Sequence, residues 1–250
     1  RYPIRLPDGR ITFNDGAQFR WLFSKVPLME QWKLAVEHSS AQRYDAAWAM
    51  YKHFLDLGWK DPAVYENGLT ALLVLRRNEE ALALYGEWCS EHTPTANGFA
   101  LGGLVLSRTK HHDAALVEFD KALELDPDQS MPVNNKGYTL NKIGRYQEAI
   151  ACFDRVLALG AEKAYPLNNR GLARIKLGDR SGGLADIEEG LRIDPGNAYG
   201  YRNLGIHHLD EGRGDEALKL LLKAKTLSPE TDMVDELIAQ ARSTPTRTGK

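Results

Sequence analysis

Apolar residues recur along this chain with the spacing of amphipathic helices, twice within each short stretch of sequence. In residues 130–163, apolar side chains mark two segments. The first holds Met131, Val133, Tyr138 and Leu140, and the second holds Ile150, Phe153, Val156 and Leu157, which recur three or four positions apart. Gly144 lies between the segments, and glycine adopts the left-handed conformation that ends a helix. The stretch is therefore predicted to form two helices joined by a tight turn.

The pattern has a fixed period of 34 residues. The segment Asn135-Lys136-Gly137 returns as Asn169-Arg170-Gly171 and again as Asn203-Leu204-Gly205. The same frame, without insertions, divides the chain into units 28–61, 62–95, 96–129, 130–163, 164–197 and 198–231. A repeat of this length predicts a solenoid, in which each unit buries its apolar faces against its neighbours.

Small residues recur at two positions of the frame. The eighth residue of the successive units is Ala35, Leu69, Gly103, Gly137, Gly171 and Gly205, and the twentieth is Ala47, Ala81, Ala115, Ala149, Gly183 and Ala217. Glycine inside a helix costs about 1 kcal/mol relative to alanine. Its recurrence predicts close helix crossings. The bulky residues at the twenty-fourth position, Tyr51, Tyr85, Phe119 and Phe153, are expected to pack against the next repeat.

Together these features resemble the tetratricopeptide repeat family over residues 28–231 of the 250. The shared features are the small-residue positions, the aromatic position, the mid-unit glycine (Gly144, Gly178, Gly212) and the terminal prolines (Pro94, Pro127, Pro195, Pro229). The resemblance implies an all-α fold, a right-handed α-solenoid of helix-turn-helix repeats. Units one and two depart from the pattern, with Gln42 and Arg76 in place of the turn glycine.

The two ends of the chain differ from the repeats. Residues 1–27 are predicted to contain a short β-hairpin around the turn Pro7-Asp8-Gly9, which either caps the solenoid or belongs to a missing upstream domain. Residues 232–242 carry one apolar stripe and are predicted to form a capping helix, because a terminal repeat needs a polar outer face. The polar tail 243–250 is predicted to be disordered.

Candidate binding residues come from the first helix of each unit, which lines the concave side of such a solenoid. The sixth position is asparagine in four units: Asn67, Asn135, Asn169 and Asn203. An amide that both donates and accepts suits the backbone of an extended peptide, and the resemblance implies that use here. The alternative is that each asparagine bonds to a neighbouring helix and fixes the repeat geometry.

Other residues on the same face extend the candidate site: Asn134, Asn168, Arg202, Tyr138 and Tyr199. The thirteenth position is basic in three consecutive units, as Arg108, Lys142 and Lys176. These cations either suit the helix C-termini or favour an acidic or C-terminal peptide segment. Some members of the family hold a chaperone's C-terminal carboxylate with a fixed residue set, which no three consecutive units here reproduce.

Composition and missing motifs narrow the function. The chain is 43% apolar and 26% charged with a formal charge of −2, so a nucleic-acid partner has no electrostatic support. No apolar run reaches the ~18 residues that a membrane span needs. Cys89 and Cys152 form no paired motif, and two free thiols favour the cytoplasm, with export after signal-peptide removal as the alternative. No catalytic constellation, metal site or cofactor motif can be named.

The sequence therefore predicts a non-catalytic adaptor that binds an extended peptide or helix of a partner protein in its concave groove. The alternative is the substrate-recruiting or regulatory arm of a larger multidomain enzyme or secretion machine. A catalytic domain upstream of Arg1 would favour the alternative, whereas its absence would favour the adaptor.

Overall fold

A computed structural model describes residues 3–5, 11–13, 28–160 and 162–244. The chain divides into two compact units, residues 1–125 and 126–250. Thirteen helices occupy the described residues. The fold is thus all-α through the repeats, as predicted, and each of the two units contains three helical hairpins.

The first unit contains six helices. They are α1 (Leu28–Ser40), α2 (Tyr44–Asp56), α3 (Pro62–Val74), α4 (Asn78–Glu91), α5 (Ala96–Arg108) and α6 (His112–Leu125). Two short strands precede them, β1 (Pro3–Arg5) and β2 (Ile11–Phe13), which pair antiparallel. The turn predicted between them lies outside the described residues. The hairpin as a structural cap therefore stays a prediction.

The second unit contains seven helices. They are α7 (Ser130–Lys142), α8 (Tyr146–Ala158), α9 (Ala164–Lys176), α10 (Arg180–Ile193), α11 (Ala198–Asp210), α12 (Gly214–Leu227) and α13 (Val234–Ser243). The first helix of every repeat in the chain begins at the residue where the 34-residue frame starts. Helix α13 lies where the capping helix is predicted, although it includes Ser243 from the predicted tail, and residues 245–250 lie outside the described residues.

Every repeat turns between its two helices in the same way. The fifteenth residue of each unit has a positive φ: Gln42, Arg76, Lys110, Gly144, Gly178 and Gly212. The residue after it donates its N–H to a carbonyl five positions earlier, as in Arg145 to Leu140, which closes the helix end. The backbone of the turn is therefore the same whether or not the residue is glycine.

The small residues lie at helix crossings, as predicted. A methyl group on Gly137 would stand 2.8 Å from the Phe153 ring, and one on Gly205 would stand 2.7 Å from Leu221. In both pairs the bulky twenty-fourth residue contacts the glycine of its own repeat. Tyr85 packs against the next repeat, as expected, because its ring fills the space above Gly102.

The two helices of repeat five approach each other closely at their backbones. A methyl group on Gly171 would stand 2.5 Å from the carbonyl oxygen of Gly183, and the reverse substitution would be equally close. Asp179 caps helix α10 by accepting a hydrogen bond from the N–H of Gly182. The glycines of this repeat thus permit close contact and capping, and they do not indicate loose packing.

In the part of the chain that the structure describes, no helix is long and apolar enough to cross a membrane.

Candidate peptide-binding face

The first helices of repeats four, five and six, α7, α9 and α11, lie side by side in the second unit. We call the surface that they form the inner face. A cavity of about 140 Å³ opens on it, lined by residues of all three helices and by the segment that precedes α13. Its polar and charged lining includes Tyr138 and Lys142 of α7, Lys176 of α9, Arg202 of α11, and Asp232.

Arg202 is the centre of the inner face. Its guanidinium lies 4.7 Å from the centroid of the Tyr199 ring and 5.6 Å from that of Tyr138, within cation–π range of both. It donates to Asn203 Oδ1 at 2.9 Å and to the Tyr138 hydroxyl at 3.1 Å. Only 5% of the residue is exposed. Arg202 therefore ties repeat six to repeat four across the inner face.

Asp232 reaches the same place from the segment between repeat six and α13. Tyr138, 94 residues away in sequence, donates its hydroxyl proton to Asp232 Oδ2 at 2.6 Å, and Lys142 Nζ lies 3.3 Å from the same oxygen. Burial alone would raise the pKa of this carboxyl, but the Tyr138 hydrogen bond and the charges of Lys142 and Arg202 hold the pKa below its usual range. Asp232 is therefore an ionised carboxylate surrounded by a hydrogen-bond donor and two cations.

Tyr138 itself is held in its neutral, donating form. Burial is the main cause that raises its pKa, and the nearby Asp232 carboxylate adds to the increase, although the charge of Arg202 opposes it. The Tyr199 ring meets Tyr138 edge-on at 5.9 Å and lies 5.6 Å from Tyr165. Tyr138 and Tyr199 thus lie beside the cations of the inner face, and Tyr165 extends this aromatic cluster.

Asparagines at the sixth position of the frame have different surroundings. Asn203 is fully buried and donates its amide to the backbone carbonyl of Asn168 at 2.8 Å. Asn169 is 2% exposed, and its own backbone carbonyl accepts a hydrogen bond from the Asn141 amide at 2.9 Å. These contacts join the first helices of neighbouring repeats. The Asn203 contact favours the alternative in which this position fixes repeat geometry, whereas the Asn169 contact involves the backbone and not the side chain.

Two other sixth-position asparagines are more accessible. Asn135 is partly exposed and its amide faces the sulfur of Met131 at 3.1 Å, within its own helix. Asn67, in the first unit, donates to the carbonyl of Ala63 at 2.7 Å, also within its helix. Neither amide is committed to a neighbouring repeat, so both remain candidates for contact with a peptide.

The fifth position contains one unusual side chain. Asn168 is fully buried, and neither polar atom of its amide has a hydrogen-bond partner among the described residues. The amide fits only because its neighbours lack side chains, since a methyl group on Gly190 or Gly200 would stand 2.5 or 2.9 Å from its oxygen. Asn134, at the equivalent position of repeat four, is partly exposed.

The three predicted basic residues contact different partners. Lys142 faces Asp232, and Lys176 forms a salt bridge with Asp210, the acidic residue one repeat later. Arg108, in the first unit, donates to the backbone carbonyl of Leu73 at 2.6 Å. The inner face thus brings together Tyr138, Lys142, Tyr199 and Arg202 from the predicted set.

Sequence reasoning missed Asp232, Met233 and Asn141. Asp232 is the first residue of the segment predicted as the capping helix, and no local pattern connects it with Tyr138. Asn141 lies at the twelfth position of repeat four, and the other repeats have no asparagine at that position, so the repeat pattern gives no signal for it. Among the described residues, no group of three or more His, Cys, Asp or Glu side chains could hold a metal ion.

Comparison with known protein families gives three matches within the repeats. Models described as tetratricopeptide repeat match residues 99–129, 118–151 and 168–230. No curated protein matches the sequence.

Solved structures with the same fold include a tetratricopeptide repeat protein from Parabacteroides merdae. It is 18% identical with a TM-score of 0.70, over 90% of this chain and 89% of that one. The Cut9–Hcn1 hetero-tetramer of the APC/C matches at 15% identity and a TM-score of 0.69. That match covers 90% of this chain but only 45% of the other. YrrB, described as having an unusual peptide-binding site, matches at 21% identity and a TM-score of 0.50, over 77% of this chain and 97% of that one.

Proposed function

Because this chain belongs to the tetratricopeptide repeat family, whose repeats form protein-interaction modules, we propose that it is a non-catalytic scaffold that binds a partner protein. The bound element is an extended peptide or helix of the partner, and it lies against the inner face of repeats four to six. YrrB, a neighbour in fold, is described as having a peptide-binding site, which is compatible with this function.

The observation that carries the proposal is the segment that already lies on the inner face. Asp232 and Met233 belong to a short non-helical stretch, and both line the cavity beside Tyr138 and Lys142. The face therefore accommodates a non-helical turn of polypeptide, with a hydroxyl and a cation that bond to it.

The composition of the inner face supports the same conclusion. Tyrosine and arginine are the residues most enriched where protein partners bind, because they combine a large contact area with hydrogen-bond donors. Tyr165 is 41% exposed beside the Tyr199 ring, so part of this aromatic surface is open to solvent. Asn135 and Asn134 flank it on helix α7, where their partly exposed side chains could contact the backbone of a peptide.

A charge reversal on the inner face tests the proposal. The full chain with Lys142→Glu is compared with wild type for the proteins that it retains from a native lysate. Lys219→Glu, an exposed lysine on the second helix of repeat six, is the matched control. Loss of a partner from Lys142→Glu alone, with unchanged circular dichroism, supports the inner face. Retention of every partner by Lys142→Glu would place binding elsewhere.

A further inference from the structure

A carboxylate of this chain occupies a site formed by two different repeats. The Tyr138 hydroxyl donates to Asp232 Oδ2 at 2.6 Å, Lys142 Nζ lies 3.3 Å from that oxygen, and Arg202 donates to the Asp232 backbone carbonyl at 3.5 Å. We propose that Tyr138, Lys142 and Arg202 form a binding site for an acidic side chain of the partner, and that Asp232 is an internal occupant which the partner displaces. The inference rests on the proposed function.

The charges around the site favour an acidic ligand. Lys176 is paired with Asp210, so Asp232 is the one carboxylate that faces Lys142 within the described residues. The hydrogen bonds of Arg202 all go to uncharged acceptors, namely Asn203 Oδ1, the Tyr138 hydroxyl and a backbone carbonyl. Removal of Asp232 would leave two cations and a hydroxyl donor without an anion. Charge-assisted bonds from such donors are about twice as strong as neutral ones.

The segment that supplies Asp232 is a short turn between the last repeat and helix α13. Met233 has a φ of 60°, a left-handed conformation that is unfavourable for a residue with a side chain. Its side chain is 53% exposed. Helix α13 is anchored separately, because Val234, Ile238 and Ala241 are buried against the last repeat. Displacement of the Asp232 side chain therefore does not require helix α13 to leave the last repeat.

The residues around Asp232 indicate which partner sequence would fit the site. Asp232 is followed by the apolar residues Met233 and Val234, and Met233 and Leu237 contribute to the lining of the cavity. A partner segment of the same kind would carry an aspartate or glutamate followed by an apolar residue. Such a peptide competes with a tethered ligand, whose effective concentration is on the order of mM.

A peptide with the sequence of residues 228–236, labelled with fluorescein, is a suitable probe. Its affinity for the full chain is measured by fluorescence anisotropy with wild type and with Asp232→Asn. Removal of the internal charge should tighten binding of the peptide tenfold or more, because a larger fraction of the sites becomes competent. Asp235→Asn, an exposed aspartate three residues later that pairs with Lys225, is the matched control and should behave as wild type.

Two further measurements assign the effect to the site. A peptide with asparagine at the position of Asp232 should bind the Asp232→Asn variant no more tightly than it binds wild type. The double variant Asp232→Asn, Lys142→Ala should likewise bind the original peptide no more tightly than wild type does. If Asp232→Asn does not fold, Asp232→Ser removes the same charge with a smaller side chain. A folded variant that binds the peptide no better than wild type would overturn the inference.

The result is distinguishable from the test of the proposed function. If Lys142→Glu loses a partner but Asp232→Asn does not bind the peptide, the inner face is the interface and the carboxylate site is refuted. If Lys142→Glu keeps every partner, the proposed function fails whatever the peptide does.

Discussion

Repeats one to three and repeats four to six share one frame but present different surfaces. Where α7, α9 and α11 carry Tyr138, Lys142, Lys176 and Arg202, the equivalent positions of α1, α3 and α5 carry mainly apolar or neutral residues. These residues are Trp32, Val36, Ser40, Thr70, Val74, Ala100 and Leu104, with Glu66 and Arg108 as the exceptions. The frame thus fixes the backbone, whereas the residues that it leaves free decide which part of the chain presents a binding surface.

The turns also differ between the two units, in residue type but not in conformation. Gln42, Arg76 and Lys110 adopt in the first unit the left-handed conformation that Gly144, Gly178 and Gly212 adopt in the second. Left-handed backbone costs a residue with a side chain about 1–2 kcal/mol. The turns within the repeats of the first unit therefore contain strain that those of the second avoid, and packing at the helix crossings must offset it.

The largest expected effect tests the frame that both units share. Ala81 and Ala149, at the twentieth position, are fully buried, whereas Ala83 and Ala151, two residues later, are exposed. Leucine at either buried position should lower the free energy of unfolding by about 1–3 kcal/mol through overpacking. Leucine at either exposed position should change it by less than about 0.5 kcal/mol.

Urea unfolding can separate the two units. All five tryptophans, Trp21, Trp32, Trp48, Trp59 and Trp88, lie in the first unit, so tryptophan fluorescence follows that unit and circular dichroism follows both. Equal effects of leucine at the twentieth and the twenty-second positions would show that the register of the repeats is wrong.

A change of pH is expected to have an intermediate effect on the stability of the first unit. His38 is fully buried, neither ring nitrogen has a hydrogen-bond partner among the described residues, and burial followed by the charge of Arg43 lowers its pKa to about 4. The unfolded chain takes up a proton near pH 6.5 but the folded chain does not, so stability falls from pH 6.5 down to about pH 4.

At pH 5 the loss should be about 2 kcal/mol relative to pH 7. Fluorescence-detected urea unfolding at the two pH values measures it, and His38→Leu should remove most of the difference. His207 is buried in the second unit, but Glu211 lies 3.6 Å away and partly offsets the burial that lowers its pKa. An equal pH response of His38→Leu and wild type would show that His38 is not the group that titrates.

The smallest change in stability is expected when the turn residues of the two units are exchanged. Lys110→Gly should stabilise the first unit by roughly 0.5–1 kcal/mol, because relief of the left-handed strain is partly offset by the greater freedom of glycine in the unfolded chain. Gly144→Lys should destabilise the second unit by a similar or larger amount. Differential scanning calorimetry of both variants checks the pair. A loss of stability in Lys110→Gly would mean that the lysine side chain stabilises the turn.

The sequence predicts the helices well because the frame repeats. Each first helix begins at the start of its unit, and the turns at Gly144 and Gly178 end helices as glycine predicts. The positive φ at Lys110 could have been predicted from its place in the frame, although its residue type gives no signal. Repetition supplies several observations of one position, which a single helix cannot offer.

The candidate site is only partly predictable, because its contacts do not repeat. Asn203 shares its frame position with Asn135, yet one is buried against Asn168 and the other is partly exposed. The difference depends on Arg202, which occurs at the fifth position of repeat six alone and holds Asn203 from the other side. Asp232 meets Tyr138 across 94 residues, and no periodicity in the sequence connects them.

Site-specific photocross-linking tests the central claim, that the inner face of repeats four to six holds the partner, most directly. A photoreactive phenylalanine analogue replaces Tyr165 in the second unit or Asn97, which occupies the same frame position in the first unit and is also exposed. After irradiation in a native lysate, mass spectrometry identifies the attached peptides. We expect position 165 to capture a defined acidic segment of a partner, and position 97 to capture none. Capture of the same segment at 97 but not at 165 would contradict the claim.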